Sequence, residues 1–399
     1  MRTPRITMLT TSFPRFADDD ASIFILRIVE ALSQKGIGGE VIVPLDANEP
    51  PNATIGLFSI KRYRYGLFKK GALAFGAGIM PNLRSRRSLV SQIPLFLGMM
   101  SLNAGRALQK DSVLHAQWLA SGVAAWAVHL FTRKPYIISL LGEDAKLIKS
   151  AILRPLLRPV LRSAAAVTAV NSAVLRDLQT NFSLLPERCH FISTGVAVPK
   201  VLEEEIGQTL DRYGLEKSRP FLLSVARVIP LKGIHHLIRL IAEPALSKLD
   251  LVVAGGSEDA AYVKSLTEQA QALGVAARVH LIGRARPRDI PALLQGAAAF
   301  ASASSYEGRP NAVMESLAAG CVTLVSNIPP HIELVTDGKS GLVVQIEDAP
   351  KSAERLASIL GDATQIEKMR LEAVKSMAEN SWEACADAFI QVYQSVLRR

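Results

Sequence analysis

Residues 297–326 read "AAAFASASSYEGRPNAVMESLAAGCVTLVS". A short apolar run opens the stretch and the β-rich "CVTLVS" closes it, with a Gly/Pro-broken loop and a helical pattern between them. Strand, loop, helix, strand is the repeating unit of a parallel sheet, whose strands need such a crossover. Pro310 stands in the first turn of that helix, where its missing N–H loses no helical partner. The N–H groups of Asn311 and Ala312 are then expected to be free, an arrangement that attracts an anion. Two acids frame this helix start, Glu307 in the loop and Glu315 about one and a half turns in. A carboxylate at 315 suits the two hydroxyls of a ribose, accepting from each. One at 307 can accept from sugar hydroxyls or stabilise developing positive charge. The plainer alternative is an acid that favours the helix dipole beside a solvated surface glutamate.

The same alternation runs along the whole chain. "ITMLTT", "EVIVP", "SVLHAQ", "YIISLL", "AAVTAV" and "CHFIS" form a first series of strands, mostly with helical segments between. "PFLLSVA", "LDLVVAGG", "RVHLIG", "AAAFASAS", "CVTLVS" and "GLVV" form a second. A Pro-containing stretch and an acidic helix separate them, placing a linker near residues 195–203. The expected architecture is α/β, with doubly wound domains at 1–197 and 198–380 facing a central cleft onto which strand carboxyl ends open. The final segment, 381–399, reads as an amphipathic helix with Ser381 as N-cap and Trp382, Phe389, Val392, Tyr393 and Val396 on one face. It is expected to pack back onto the first domain.

At 399 residues, 49% of them hydrophobic, the chain can fill two cores. Three cysteines lie far apart without a C-x-x-C pair, which fits a reducing compartment and supplies neither a metal nor a disulfide framework. His235 and His236 suit no metal geometry, so no metal site is expected. The start of the chain lacks a secretory pattern, and its longest apolar run, "LASGVAAWAVHLF", stops at 13 residues, short of a membrane span. The net charge of +10 is concentrated: between Glu49 and Asp111 there are ten bases and no acid. Tyr63, Tyr65, Phe68, Phe75, Leu95, Phe96, Met99 and Met100 share the segment. A second basic stretch, "KLIKSAILRPLLRPVLRS", sets Lys146, Lys149, Arg154, Arg158 and Arg162 at helical spacing among Leu and Ile. Basic plus apolar is the composition of a surface that meets anionic lipid, so residues 61–110 are read as a peripheral membrane contact. The plainer alternative is a solvated helix face with ordinary core residues behind it. No nucleic-acid-binding motif competes with the membrane reading.

Arg227 and Lys232, in "SVARVIPLKG", follow a buried-looking strand in the loop that starts the next helix. Two cations at a strand's carboxyl end suit a diphosphate. With "YEGRPNAVMESLAAG" eighty residues on, the chain resembles the retaining glycosyltransferases of family 4 (glycosyl transferase group 1), over nearly its whole length. "SVARVIPLKG" resembles that family's donor-diphosphate loop and "YEGRPNAVMESLAAG" its Glu-seven-Glu signature. "LVVAGG" and "VHLIGRARPRDI" resemble the strands flanking the nucleotide base, and "IPPHIELVTDGKSGLVV" the segment after the signature helix. "TTSFPRFADDDASIFILRIVEALSQKG" is similar to the family's N-terminal loop and first helix.

The resemblance implies the GT-B fold and transfer of a sugar from a nucleotide-diphosphate donor, UDP- or GDP-linked, to an acceptor hydroxyl with retention. It implies a catalytic set of Glu307, Arg227 and Lys232. The donor contacts it implies are Glu315, Gly308, Arg309, Pro310, Asn311, Ala312, Gly255, Gly283 and Arg284. No cofactor is implied, because the nucleotide sugar is the substrate. The acceptor side falls in the first domain, with Asp20, His115, Trp118, Gly142 and Asp144 as candidates. Together with the basic segment, this points to a lipid-linked or polysaccharide-precursor acceptor at the cytoplasmic membrane face. His115 and Trp118 equally suit a buried core, and Asp18, Asp19 and Asp20 equally suit a helix cap. Two features depart from the family: Leu141 stands where many members carry a histidine, and "ADDDAS" replaces a glycine-rich loop. The alternatives are a nucleotide-sugar epimerase or glycosyl phosphorylase on the same fold, or an inactive membrane-associated scaffold, the reading Leu141 favours.

Overall fold

The computed structural model of the chain describes residues 4–16, 19, 21–45, 52–65, 73–74, 78–142, 145–257 and 259–398, with backbone only at 80, 81, 84, 145 and 146. Packing separates two units, Met1–Gly195 with Trp382–Arg399, and Val196–Ser381.

The first unit is built on eight strands: β1 (Arg5–Leu9), β2 (Gly38–Pro44), β3 (Asn52–Ile55), β4 (Phe58–Tyr63), β5 (Ser112–Gln117), β6 (Tyr136–Leu140), β7 (Ala166–Ala169) and β8 (Cys189–Phe191). Their order is β3-β4-β2-β1-β5-β6-β7-β8, parallel throughout except for the β3–β4 hairpin at the edge. Ile6 and Met8 point from β1 into a layer formed by helix Ile23–Gln34 and the C-terminal helix Trp382–Arg398. Leu9 points the other way, into a layer with helices Ile93–Ala107 and Trp118–Thr132. The C-terminal helix buries Cys385, Ala386, Phe389, Val392, Tyr393 and Val396. Each large apolar side chain removed from water in this way contributes roughly 1.5–3 kcal/mol.

β3 and β4 are additions to the first series of strands. In β4, Phe58, Ile60 and Tyr63 face the core while Lys61 is exposed, so part of the basic run is a pleated strand paired on both sides, with β3 and β2. Part of the apolar content that prompted the lipid-facing reading of residues 61–110 is interior. Tyr63, Tyr65, Phe96 and Met100 are interior, with the Tyr65 and Phe96 rings edge to face at 4.9 Å. Phe68 and Phe75 lie outside the described residues. Lys61 pairs with Glu40 at 2.9 Å, and Arg62 donates to the Pro14 carbonyl at 2.7 Å. Among the described residues no helix is long and apolar enough to cross a membrane.

The second unit carries β9 (Phe221–Val225), β10 (Asp250–Ala254), β11 (Val279–Gly283), β12 (Ala299–Ser302), β13 (Thr323–Ser326) and β14 (Leu342–Val344). These are the six strands of the second series, all parallel in the order β11-β10-β9-β12-β13-β14. Strand order reverses between β9 and β12. In an open α/β sheet a crevice forms at such a reversal, at the carboxyl ends of the strands. The loop after β9 holds Arg227 and Lys232, and the loop after β12 holds Glu307.

Candidate active site

The two loops meet closely. Gly233 takes φ +66°, and a Cβ there would lie 2.2 Å from the Ala303 carbonyl oxygen, so no other residue lets the β9 loop pass β12. Ser305 N–H donates to the Leu231 carbonyl at 3.0 Å and locks the approach. The result places Lys232 Nζ 2.6 Å from Glu307 Oε1, with both side chains largely buried. Ser304 Oγ donates to the same oxygen at 2.6 Å. Glu307 Oε2 has no partner among the described residues. Arg227 is exposed in the same loop.

Beyond β9 the ladder continues through the loops. Val228 N–H donates to Gly256 C=O at 3.0 Å, and Gly255 N–H to Gly283 C=O at 2.7 Å. A Cβ on Gly255 would sit 1.8 Å from the Ala226 carbonyl, which is why that position is glycine. Gly283 closes β11, and the exposed Arg284 leans over Gly256. Gly255, Gly283 and Arg284 thus line the carboxyl ends of β10 and β11, on the Arg227 side of the reversal.

The signature helix spans Asn311–Ala318, with the buried Pro310 at its N-cap, one position earlier than the sequence suggests. The expectation of a free Asn311 N–H is corrected: it donates to the Arg309 carbonyl at 3.0 Å, because the chain tightens before entering the helix. Ala312 N–H has no partner among the described residues. Gly308 is half-buried in the loop, and Arg309 donates to Asn380 Oδ1 at 3.2 Å. Burial pushes the Arg309 pKa down. Glu315 is only partly covered by area, yet its carboxyl is crowded enough that burial pushes its pKa up to about 7. No described side chain pairs with it.

The first-unit candidates scatter. His115 is wholly buried in mid-β5, with Nδ1 2.7 Å from Tyr393 Oη and Nε2 2.7 Å from Ser139 Oγ. It presents no surface to an acceptor, which corrects that assignment in favour of the core reading. Trp118 is half-buried at φ +65°, strained for a tryptophan, and packs edge to face on Phe24 at 5.8 Å. Gly142 follows β6 directly after Leu141, and Asp144, Asp18 and Asp20 lie outside the described residues. Asp19 neither caps a helix nor faces outward. Burial works to raise its pKa, but bonds from the Arg15 side chain (2.6 Å) and backbone (2.9 Å) and from Ala21 N–H outweigh it and leave the carboxyl below its usual range.

Three polar residues near Glu307 escape sequence reasoning: Ser304, Ser326 and His331. Ser326 Oγ donates to the Ser304 carbonyl at 2.6 Å. His331, on helix Pro329–Ile332, is 0% exposed. Serines at strand ends and a histidine after a proline pair carry no signal of their own; only the β12–β13 pairing brings them together.

A sequence profile described as "Glycosyl transferases group 1" matches residues 207–384, and one described as "Glycosyl transferase 4-like domain" matches residues 21–195. The chain is a group 1 glycosyltransferase. A D-inositol 3-phosphate glycosyltransferase of Nocardia farcinica is 23% identical to this glycosyltransferase over 394 residues, covering 94% of this chain and 84% of the relative. An alpha-monoglucosyldiacylglycerol synthase of Streptococcus pneumoniae is 28% identical over 232 residues, covering 56% of this chain and 51% of that one. The Anabaena protein HepE, solved in complex with UDP and glucose, matches at TM-score 0.74 and 17% identity, covering 98% of this chain and 100% of that one. That likeness is one of fold, and with the two parallel sheets it identifies this glycosyltransferase as GT-B.

Proposed function

We propose that this glycosyltransferase takes its sugar from a nucleoside-diphosphate donor and transfers it with retention. The observation that carries the reading is the division of labour between two carboxylates of one motif. Glu307 is held by Lys232 and Ser304 at the strand-order reversal, while Glu315 stays unpartnered in crowded surroundings. In this reading Glu315 accepts from the ribose hydroxyls and Glu307 Oε2 faces the donor sugar. Arg227, Lys232 and the Ala312 N–H meet the diphosphate, and Gly255, Gly283 and Arg284 border the base. HepE, with its UDP and glucose, supports a donor of this class.

The step breaks the bond between the anomeric carbon and the β-phosphate oxygen and forms one to the acceptor oxygen on the same face. The acceptor's proton passes to the departing phosphate. Negative charge grows on that phosphate as the bond breaks, and the Arg227 and Lys232 charges oppose it without a resident metal. Thermal-shift screening against nucleotide sugars, followed by release of nucleoside diphosphate, tests the reading. A midpoint unmoved by the whole panel sinks it.

The reading extends to a lipid-linked acceptor at the cytoplasmic face of a membrane. Its support is helix Arg154–Ser163 and the turn before it, where Ile152 is 85% and Leu156 69% exposed beside the exposed Arg158 and Arg162. No acid occurs between Asp144 and Asp177. The S. pneumoniae relative is named for a glucosylated diacylglycerol. Flotation with phosphatidylglycerol vesicles at low salt is expected to carry the wild type upward and to leave an Ile152→Ser, Leu156→Ser variant behind. Equal flotation of both removes this surface from the reading.

A further inference from the structure

Behind Glu307 lies a run of polar contacts that the donor chemistry does not use. His331 Nδ1 is 2.9 Å from the Ser326 carbonyl oxygen and 3.2 Å from Ser326 Oγ, and its Nε2 is 3.3 Å from Ser302 Oγ. A carbonyl oxygen only accepts, so Nδ1 carries the proton. Burial lowers the imidazole's pKa, the ring is neutral, and Nε2 is left to accept from the Ser302 hydroxyl. Ser302 closes β12 and Ser326 closes β13, so one buried ring ties the ends of two adjacent strands. From there the chain of contacts runs outward. Ser326 Oγ donates to the Ser304 carbonyl, Ser304 Oγ donates to Glu307 Oε1, and both distances are 2.6 Å. The Lys232 loop braces the same segment from its other side through Ser305 and Leu231.

We propose that His331 is a positioning residue for glycosyl transfer: through Ser326 and Ser304 it holds the Glu307 carboxylate in register with Lys232. The proposal rests on the reading of Glu307 as the carboxylate that faces the donor sugar. His331 touches neither Arg227 nor Glu315, so its loss disturbs turnover and leaves donor binding in place. Misplacing a reacting group by about 1 Å can cost ~100-fold in rate, and that sets the scale of the effect.

The experiment uses the full chain and a probe panel of UDP-glucose, UDP-galactose, UDP-N-acetylglucosamine, ADP-glucose and GDP-mannose, read by release of nucleoside diphosphate. With the donor that the wild type turns over, His331→Leu is expected to lower kcat about 10–100-fold while donor KM moves less than about twofold. His331→Asn places an amide N–H where Nδ1 stands and restores most of the loss. The double variant with Ser304→Ala is no worse than the poorer single one, because both cut the same chain of contacts. A purely structural histidine gives another pattern, a lower melting midpoint with kcat per folded molecule intact, or Asn no better than Leu. Either result overturns the proposal. Should His331→Leu fail to fold, Ser304→Ala decides, and an unchanged kcat there overturns it equally. Full activity of Glu307→Gln, or no turnover of any probe by the wild type, brings down the reading of the site and this inference with it. An inactive Glu307→Gln beside fully active Ser304→Ala and His331→Leu brings down this inference alone.

Discussion

His115 and His331 are both 0% exposed, and both have hydrogen-bond partners at each ring nitrogen. They differ in where their bonds lead. From His115 the contacts pass to Tyr393 on one side and through Ser139 to Thr168 on the other, spanning β5, β6, β7 and the C-terminal helix. That network begins and ends in the core. From His331 they pass along two strand ends and out to a largely buried carboxylate beside a lysine. Burial and satisfied nitrogens are therefore common to a histidine that holds a domain together and one that serves a site. The end of the chain of bonds tells them apart.

That contrast can be broken or sharpened by measurement. Glu307→Gln stands at the catalytic end, and its turnover is expected to fall about 100- to 1000-fold, the scale of losing one electrostatic contact to a transition state. His331→Leu follows, within the range already given. Tyr393→Phe then probes the other network. It is expected to cost about 1–3 kcal/mol of stability, from a buried donor or acceptor left without its partner, and to leave kcat alone. Lost turnover at an unchanged midpoint would instead make His115 part of the active site.

Acidification gives a related test. Burial holds the His115 ring neutral down to about pH 3, whereas the unfolded chain takes up its proton near 6.5. The stability it contributes is present above pH 6.5 and is lost as pH falls from there toward 3. A melting series over that interval should be shallower for His115→Leu than for the wild type, and parallel curves would contradict this.

The smallest effect is expected at Glu315. Its pKa is raised, so the folded state holds the proton more firmly than the unfolded one, and stability declines as pH rises from about 4.5 to about 7. Glu315→Gln should therefore melt higher than the wild type at pH 8, by a few degrees where each kcal/mol is about 2–4 °C, with little gain at pH 5. The same variant should bind UDP more weakly. A gain in both stability and nucleotide binding would take the ribose role from Glu315.

Strand positions in the second unit were readable because each parallel strand is a short apolar run bounded by loop residues. The motif loops could be placed as soon as those runs were ordered. β4 is hidden in the sequence because "FSIKRYRY" carries its alternation under a dense run of bases, a composition typical of a surface. His115 was ambiguous for a different reason: a histidine in an apolar run reads alike whether its ring meets a tyrosine or a ligand. The sequence marks Lys232 and Glu307 in separate loops, and only the crossing at Gly233 brings them into contact.

Local periodicity and loop chemistry, each a property of neighbours along the chain, suffice for two α/β units, for the two basic residues of the β9 loop and for the two acids that frame the start of the signature helix. The meeting of Ser302, Ser304, Ser326 and His331, and the crowding that raises the Glu315 pKa, depend on the order β9-β12-β13 in the sheet. That order is set by which crossover packs on which face. It brings together residues that no spacing in the sequence relates.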